Sequence, residues 1–89
     1  MKEMFIKAGE RIRFVRQFRG LERKSLCDMV GITEDELTGI EECGKGFNGE
    51  ILYNISRALS VEPDYLFSGT LTRINDEELE AAIKLNSIN

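Results

Sequence analysis

Five carboxylates stand within residues 34–42: Glu34, Asp35, Glu36, Glu41 and Glu42, with no Lys or Arg among them. A carboxylate only accepts hydrogen bonds. It can take the amino group of a cytosine, cap the start of a helix or pair with a cation. The cations lie elsewhere. Residues 1–24 hold Lys2, Lys7, Arg11, Arg13, Arg16, Arg19, Arg23 and Lys24 against three acids, a net of +5. Residues 25–89 hold four cations against thirteen acids, a net of −9, which completes the −4 of the whole chain. Guanidinium and ammonium groups suit phosphate binding. The basic first segment therefore reads either as a phosphate-facing surface or as a solvated helix face, and both readings stay open.

The rest of the chain is poor in reactive groups. There is no His, and Cys27 and Cys43 are the only cysteines. No Ser/His/Asp or Cys/His constellation exists, two thiols do not make a zinc site, and no phosphate-binding glycine loop occurs. The expectation is a protein that is not an enzyme and uses no cofactor and no metal. Cys27, next to Leu26, reads as a packed thiol.

The elements that must position these groups follow from apolar spacing. The chain has 89 residues, 42% of them hydrophobic and 31% charged, which is one small domain of ordinary composition. No apolar run approaches the roughly 20 residues of a membrane span. The opening MKEMFIKAGERIRF lacks the apolar region of a signal peptide. A cytoplasmic protein without a membrane partner is expected. In GLERKSLCDMVGITEDELTGIE, residues 20–41, Leu26 and Val30 share one helix face, and Leu37 and Ile40 share another. Gly31 lies between them, where a chain reversal needs positive φ. Thr33 and Glu36 form a T-x-x-E capping box. This predicts helices over 23–30 and 34–42 joined by a tight turn, a helix-turn-helix whose second helix fits a DNA major groove.

Further helices are predicted over 5–19, 50–59 and 63–67, with a glycine-rich loop at 43–50 and Asn48 placed to cap the helix after it. A last helix is expected to begin at Asn75 or Asp76, its stripe being Leu79, Ala82 and Ile83. Gly39 reads as a close approach to the backbone or a weak helix end. The whole reads as all-α, with a domain at 1–69 and a tail at 70–89.

From Gly9 to Gly69 the chain resembles the phage-repressor and Cro type of helix-turn-helix protein, also called Xre-like. The resemblance rests on GERIRFVRQFRGL, LCDMVGI, LTGIE and ILYNISRALSVEPDYLFSGT, in that order and spacing. It implies a lambda-repressor-like bundle of five helices, with the sixth an addition, and a DNA-binding transcriptional regulator acting on double-stranded DNA as a homodimer. Carried over by position, Glu34, Asp35, Thr38 and Glu42 would face base edges, and Arg23, Lys24, Lys45 and Asn48 would touch phosphates. Arg16 and Glu41 would form a buried structural ion pair. Two departures stand out. Cys43 occupies a place where relatives often have glycine, and the groove-facing helix is acidic. With Glu36 capping and Glu41 paired, Glu34, Asp35 and Glu42 are left without an internal partner. The alternative is therefore a helix-turn-helix fold used as a protein-interaction module of antirepressor or antitoxin-like type, its acidic third helix facing a basic surface on the protein it binds. Candidate dimer surfaces are the fourth and fifth helices around Tyr65 and Phe67, and the tail stripe, unless the tail packs on its own chain.

Overall fold

The computed structural model describes residues 2–69 and 77–86. Six helices account for most of them, and no strand occurs among the described residues. The helices are α1 (Lys2–Phe18), α2 (Arg23–Val30), α3 (Glu34–Thr38), α4 (Gly49–Leu59), α5 (Pro63–Ser68) and α6 (Glu77–Asn86). Helix α3 continues directly into a π-turn, Gly39–Cys43. The expected start at Asn75 or Asp76 lies outside the described residues. Helix α1 begins earlier than the apolar spacing indicates and stops at Phe18 rather than Arg19.

Helix α1 is the spine. It packs on the π-turn, α5 and α4, while α2 packs on α3 and α4. The core joins Ile12 and Val15 of α1 to Leu26, Leu37, Ile40, Ile55, Leu59, Tyr65 and Leu66, all essentially without solvent exposure. Leu79 and Ile83 of α6 belong to the same core. The tail stripe thus packs on its own chain through Leu79 and Ile83, with Ala82 half-buried, which leaves little of it for a dimer. Tyr65 is fully buried and cannot serve as a dimerisation surface. Phe67 stays half-buried, edge-on to Phe5, which stacks on Phe47 with ring centroids 5.4 Å apart.

The sequence fixes most helix ends locally. Thr33 Oγ1 accepts from the Glu36 amide at 3.1 Å and the Thr33 amide donates to Glu36 Oε1 at 2.9 Å, completing the capping box. Asn48 Oδ1 accepts from the Ile51 amide at 2.8 Å and starts α4. Pro63 opens α5, where its missing N–H is no loss.

A continuous helix over 34–42 is not what forms. After Thr38 the backbone widens by one residue per turn, and the Gly44 amide reaches both the Gly39 and Ile40 carbonyls. Gly44 then stops the helix in the left-handed region at φ 65. The widening absorbs the extra residue that Cys43 represents, so the stop still falls on a glycine. Gly39 sits at the break. A Cβ there would meet nothing closer than the Lys45 carbonyl at 3.9 Å, so the weak-end reading holds and the close-approach reading does not. The close approach is at Gly9, midway along α1, where a Cβ would collide with the Ile40 carbonyl. At Gly44 a Cβ would lie 2.6 Å from the Ile6 amide nitrogen. Helix α1 and the π-turn therefore touch backbone to backbone.

Candidate nucleic-acid interface

The turn between α2 and α3 is built as its residues require. Gly31 adopts φ 84, and its amide closes on the Cys27 carbonyl at 2.7 Å. The Ile32 amide reaches the same carbonyl at 3.2 Å, a Schellman-like ending. Cys27 is buried as a small packed residue, and that burial pushes its thiol above the ordinary value, with Glu34 adding to the effect. Leu26 and Leu37 seal α2 and α3 to the core. The outer surface of α3 is then left to Glu34 and Asp35, both exposed and neither in a side-chain hydrogen bond or ion pair among the described residues.

Behind that surface lies an ionic cluster. Arg16 Nε donates to Glu41 Oε2 at 2.7 Å and Arg16 Nη2 to Glu41 Oε1 at 3.1 Å, a bidentate buried pair as the resemblance implies. Arg16 Nη1 also holds the Leu21 carbonyl at 2.8 Å, tying the pair to the loop before α2. Arg23, the first residue of α2, adds to the cluster. Its Nε donates to Glu41 Oε1 at 3.1 Å and its Nη2 to Glu42 Oε2 at 2.8 Å. Its Nη1 stands 3.4 Å from Thr38 Oγ1. The Glu42 and Glu41 contacts hold its guanidinium still more firmly in the protonated state. Glu42 is therefore not the unpartnered carboxylate that the sequence suggests, because Arg23 folds back across the α2–α3 angle to meet it. Of the residues expected to face bases, only Glu34 and Asp35 are fully open. Thr38 is half-buried and Glu42 is engaged.

The phosphate set also divides. Lys24 is exposed and, among the described residues, reaches only Asp28, at 3.5 Å. Lys45 is exposed just past the π-turn. Asn48 is exposed, but its side-chain oxygen is committed to the cap of α4, which leaves its amide nitrogen to face outward ligands. Arg23 is 28% exposed at its side chain and already bound to two carboxylates.

The basic first segment is divided: Lys7, Arg13 and Lys24 are exposed, whereas other cations of the segment are engaged within the fold. Arg11 is buried, and its Nη1 donates to the Leu66 and Phe67 carbonyls at 3.0 and 2.9 Å, at the end of α5. Arg19 Nε donates to the Leu59 carbonyl at 2.9 Å, at the end of α4. These guanidiniums meet the orphaned carbonyls and negative dipole ends of two helices. Sequence reasoning missed both roles. The only available hint was regular: Arg11 follows Ala8 by three and Arg19 follows Val15 by four, so both lie along the apolar stripe.

No family model matches the chain. An uncharacterized HTH-type transcriptional regulator, y4wC, of Sinorhizobium fredii is 33% identical over 78 residues, which cover 88% of this chain and 54% of the relative. The repressor protein C2 of Salmonella phage P22 is 37% identical over 67 residues, covering 75% of this chain and 31% of that repressor. The chain thus spans about half the length of the first relative and about a third of the second. Among solved structures, the restriction-modification controller protein C.AhdI from Aeromonas hydrophila superposes with a TM-score of 0.66 at 27% identity, over 71% of this chain and 96% of the controller. The likeness to helix-turn-helix proteins of the repressor type holds in both sequence and fold.

Proposed function

We infer that this chain is a helix-turn-helix transcriptional regulator of the phage-repressor and Cro type, and that it acts by binding double-stranded DNA. The observation that carries this reading is the completed motif. Helix α3 is capped at Thr33, turned at Gly31 and clamped from behind by Arg16 and Glu41, and it presents an open outer face in the manner of a recognition helix. The named regulators and the controller structure support the same reading.

In this reading Glu34 and Asp35 face base edges, with Thr38 behind them, and each carboxylate accepts from a cytosine amino group. Lys24 and Lys45, together with Arg23 and the amide of Asn48, set the backbone register on the phosphates. Arg16 and Glu41 hold the scaffold and do not touch DNA. Because Arg11, Arg16 and Arg19 are engaged internally, few cations are left to attract the polyanion, and the salt slope is correspondingly shallow. A homodimer on a two-fold site belongs to this reading as well. With Tyr65 and most of the tail stripe buried, the surface left for it runs along α4 and α5, where Tyr53 is 53% exposed.

The test is a fluorescence anisotropy titration on pooled random-sequence duplexes across a salt series. Binding that weakens linearly in log salt supports the reading. Its absence at low salt and high protein concentration would remove the reading and favour a basic protein partner for Glu34 and Asp35. Light scattering of the free protein tests the dimer.

A further inference from the structure

We propose that Glu42 occupies the phosphate-binding edge of Arg23 in the free protein, so that the chain's own carboxylate competes with DNA and sets its affinity. This rests on the DNA-binding reading above and adds a residue that tunes it.

The geometry separates the two acids on Arg23 by role. Glu41 has no exposed side-chain surface and already receives Arg16, so its contact with Arg23 Nε is a fixed anchor that aims the guanidinium. Glu42 is 49% exposed and takes Nη2, the outward edge of the fork, at 2.8 Å. Arg23 Nη1 has only the long 3.4 Å approach to Thr38 Oγ1. With Nε held by Glu41, the Nη1–Nη2 edge is the one left for a phosphate to grip in bidentate fashion. The same edge is thus already met by a carboxylate, which resembles a phosphate in charge and in acceptor geometry. Glu42 can swing away into solvent, whereas Glu41 cannot, so a phosphate would replace the first and keep the second. Adjacent Lys24 is open to the same anion.

Counterion balance makes the idea measurable. When Arg23 leaves Glu42 for a phosphate, the DNA releases a counterion and Glu42 regains one, so this contact adds little to the salt slope. Without the Glu42 charge the release is uncompensated, and the slope steepens by about 0.9 for B-DNA.

The experiment measures anisotropy on a random-sequence duplex between about 50 and 200 mM salt, using the full chain and the variants E42Q, R23M, R23M/E42Q and E10Q. Urea unfolding of each protein establishes that it is folded at the assay temperature. E42Q is expected to bind about threefold tighter, as fits release of one partly exposed ion pair, with the steeper slope. On the R23M background both changes should vanish. E10Q removes an exposed carboxylate of α1 outside the proposed interface and should leave the slope as in the wild type. That comparison needs no Arg23 variant, so it decides the matter even if R23M fails to fold. An E42Q gain that survives on R23M, or an E42Q slope equal to that of E10Q, would overturn the proposal while leaving DNA binding intact. Binding by E42Q alone would support it most strongly. No salt-dependent binding by either wild type or E42Q would overturn the DNA-binding reading, and this proposal with it.

Discussion

Three arginines in and just after α1 and the cations around the helix-turn-helix carry the same formal charge and do opposite work, while Lys7 and Arg13 of the same helix stay exposed. Arg11, Arg16 and Arg19 point into the molecule, where each meets carbonyls or a buried carboxylate. Lys24 and Lys45 point out, and Arg23 stands between the two groups with one edge anchored and one edge exposed. The net charge of a segment is therefore a poor guide to its surface field. A guanidinium that closes a helix end contributes to the fold and is largely unavailable to an external phosphate.

The sharpest way to break this comparison is to remove an inward cation. Arg16→Met leaves Glu41 buried with only Arg23 to face it, so a loss of about 3 kcal/mol or more in urea unfolding is expected. Adding Glu41→Leu should recover much of that loss by removing the stranded charge. A loss under about 0.5 kcal/mol would mean that the inward arginines are no more structural than surface ones. The next effect is local. Thr33→Ala removes the side-chain half of the capping box and should lower stability by about 1 kcal/mol. It would also loosen the start of α3, which amide hydrogen exchange would register.

A third prediction follows from pH. Burial pushes the Cys27 thiol above its ordinary 9.0 and the Tyr65 phenol above its ordinary 10.0. Both groups are neutral when protonated, so the folded chain keeps these protons to higher pH than the unfolded chain does. Their contribution is complete below pH 9 and is lost as pH rises through the folded values. Cys27→Ala with Tyr65→Phe should flatten the alkaline decline of urea stability. The Tyr65 change alone should be nearly neutral at pH 7, since its hydroxyl has no hydrogen-bond partner among the described residues. The smallest effect on stability belongs to the outward set. Lys45→Gln should leave unfolding unchanged within about 0.5 kcal/mol yet make the DNA salt slope shallower by about 0.9. Inward variants would then lose the fold, and outward variants would lose only the response to salt.

Much of this molecule was legible in its sequence. The bounds of α2, the Gly31 turn, the capping box and the Asn48 cap all rest on residues within three or four positions of one another, where local chemistry decides the outcome. The Arg16–Glu41 pair came from the resemblance. Three features were not legible. Apolar spacing cannot register a turn one residue too wide, so the π-turn was read as ordinary helix. The same spacing sets Arg19 on the stripe of Ile12 and Val15, but it does not show that the guanidiniums of Arg11 and Arg19 close the ends of α5 and α4. The meeting of Arg23 with Glu42 depends on the angle between α2 and α3, a tertiary quantity that no short window contains.

The widened turn at Gly39–Cys43 has a consequence for how this motif can change over time. It lies between two fixed ends, the Thr33 cap and the Gly44 stop, and holds one residue more than a regular turn would need. A one-residue deletion there should relax the backbone to ordinary α geometry while both ends keep their places. The segment is thus a tolerant position for length variation in an otherwise rigid unit, and an alignment that assumes uniform helical pitch would be offset by one position beyond it.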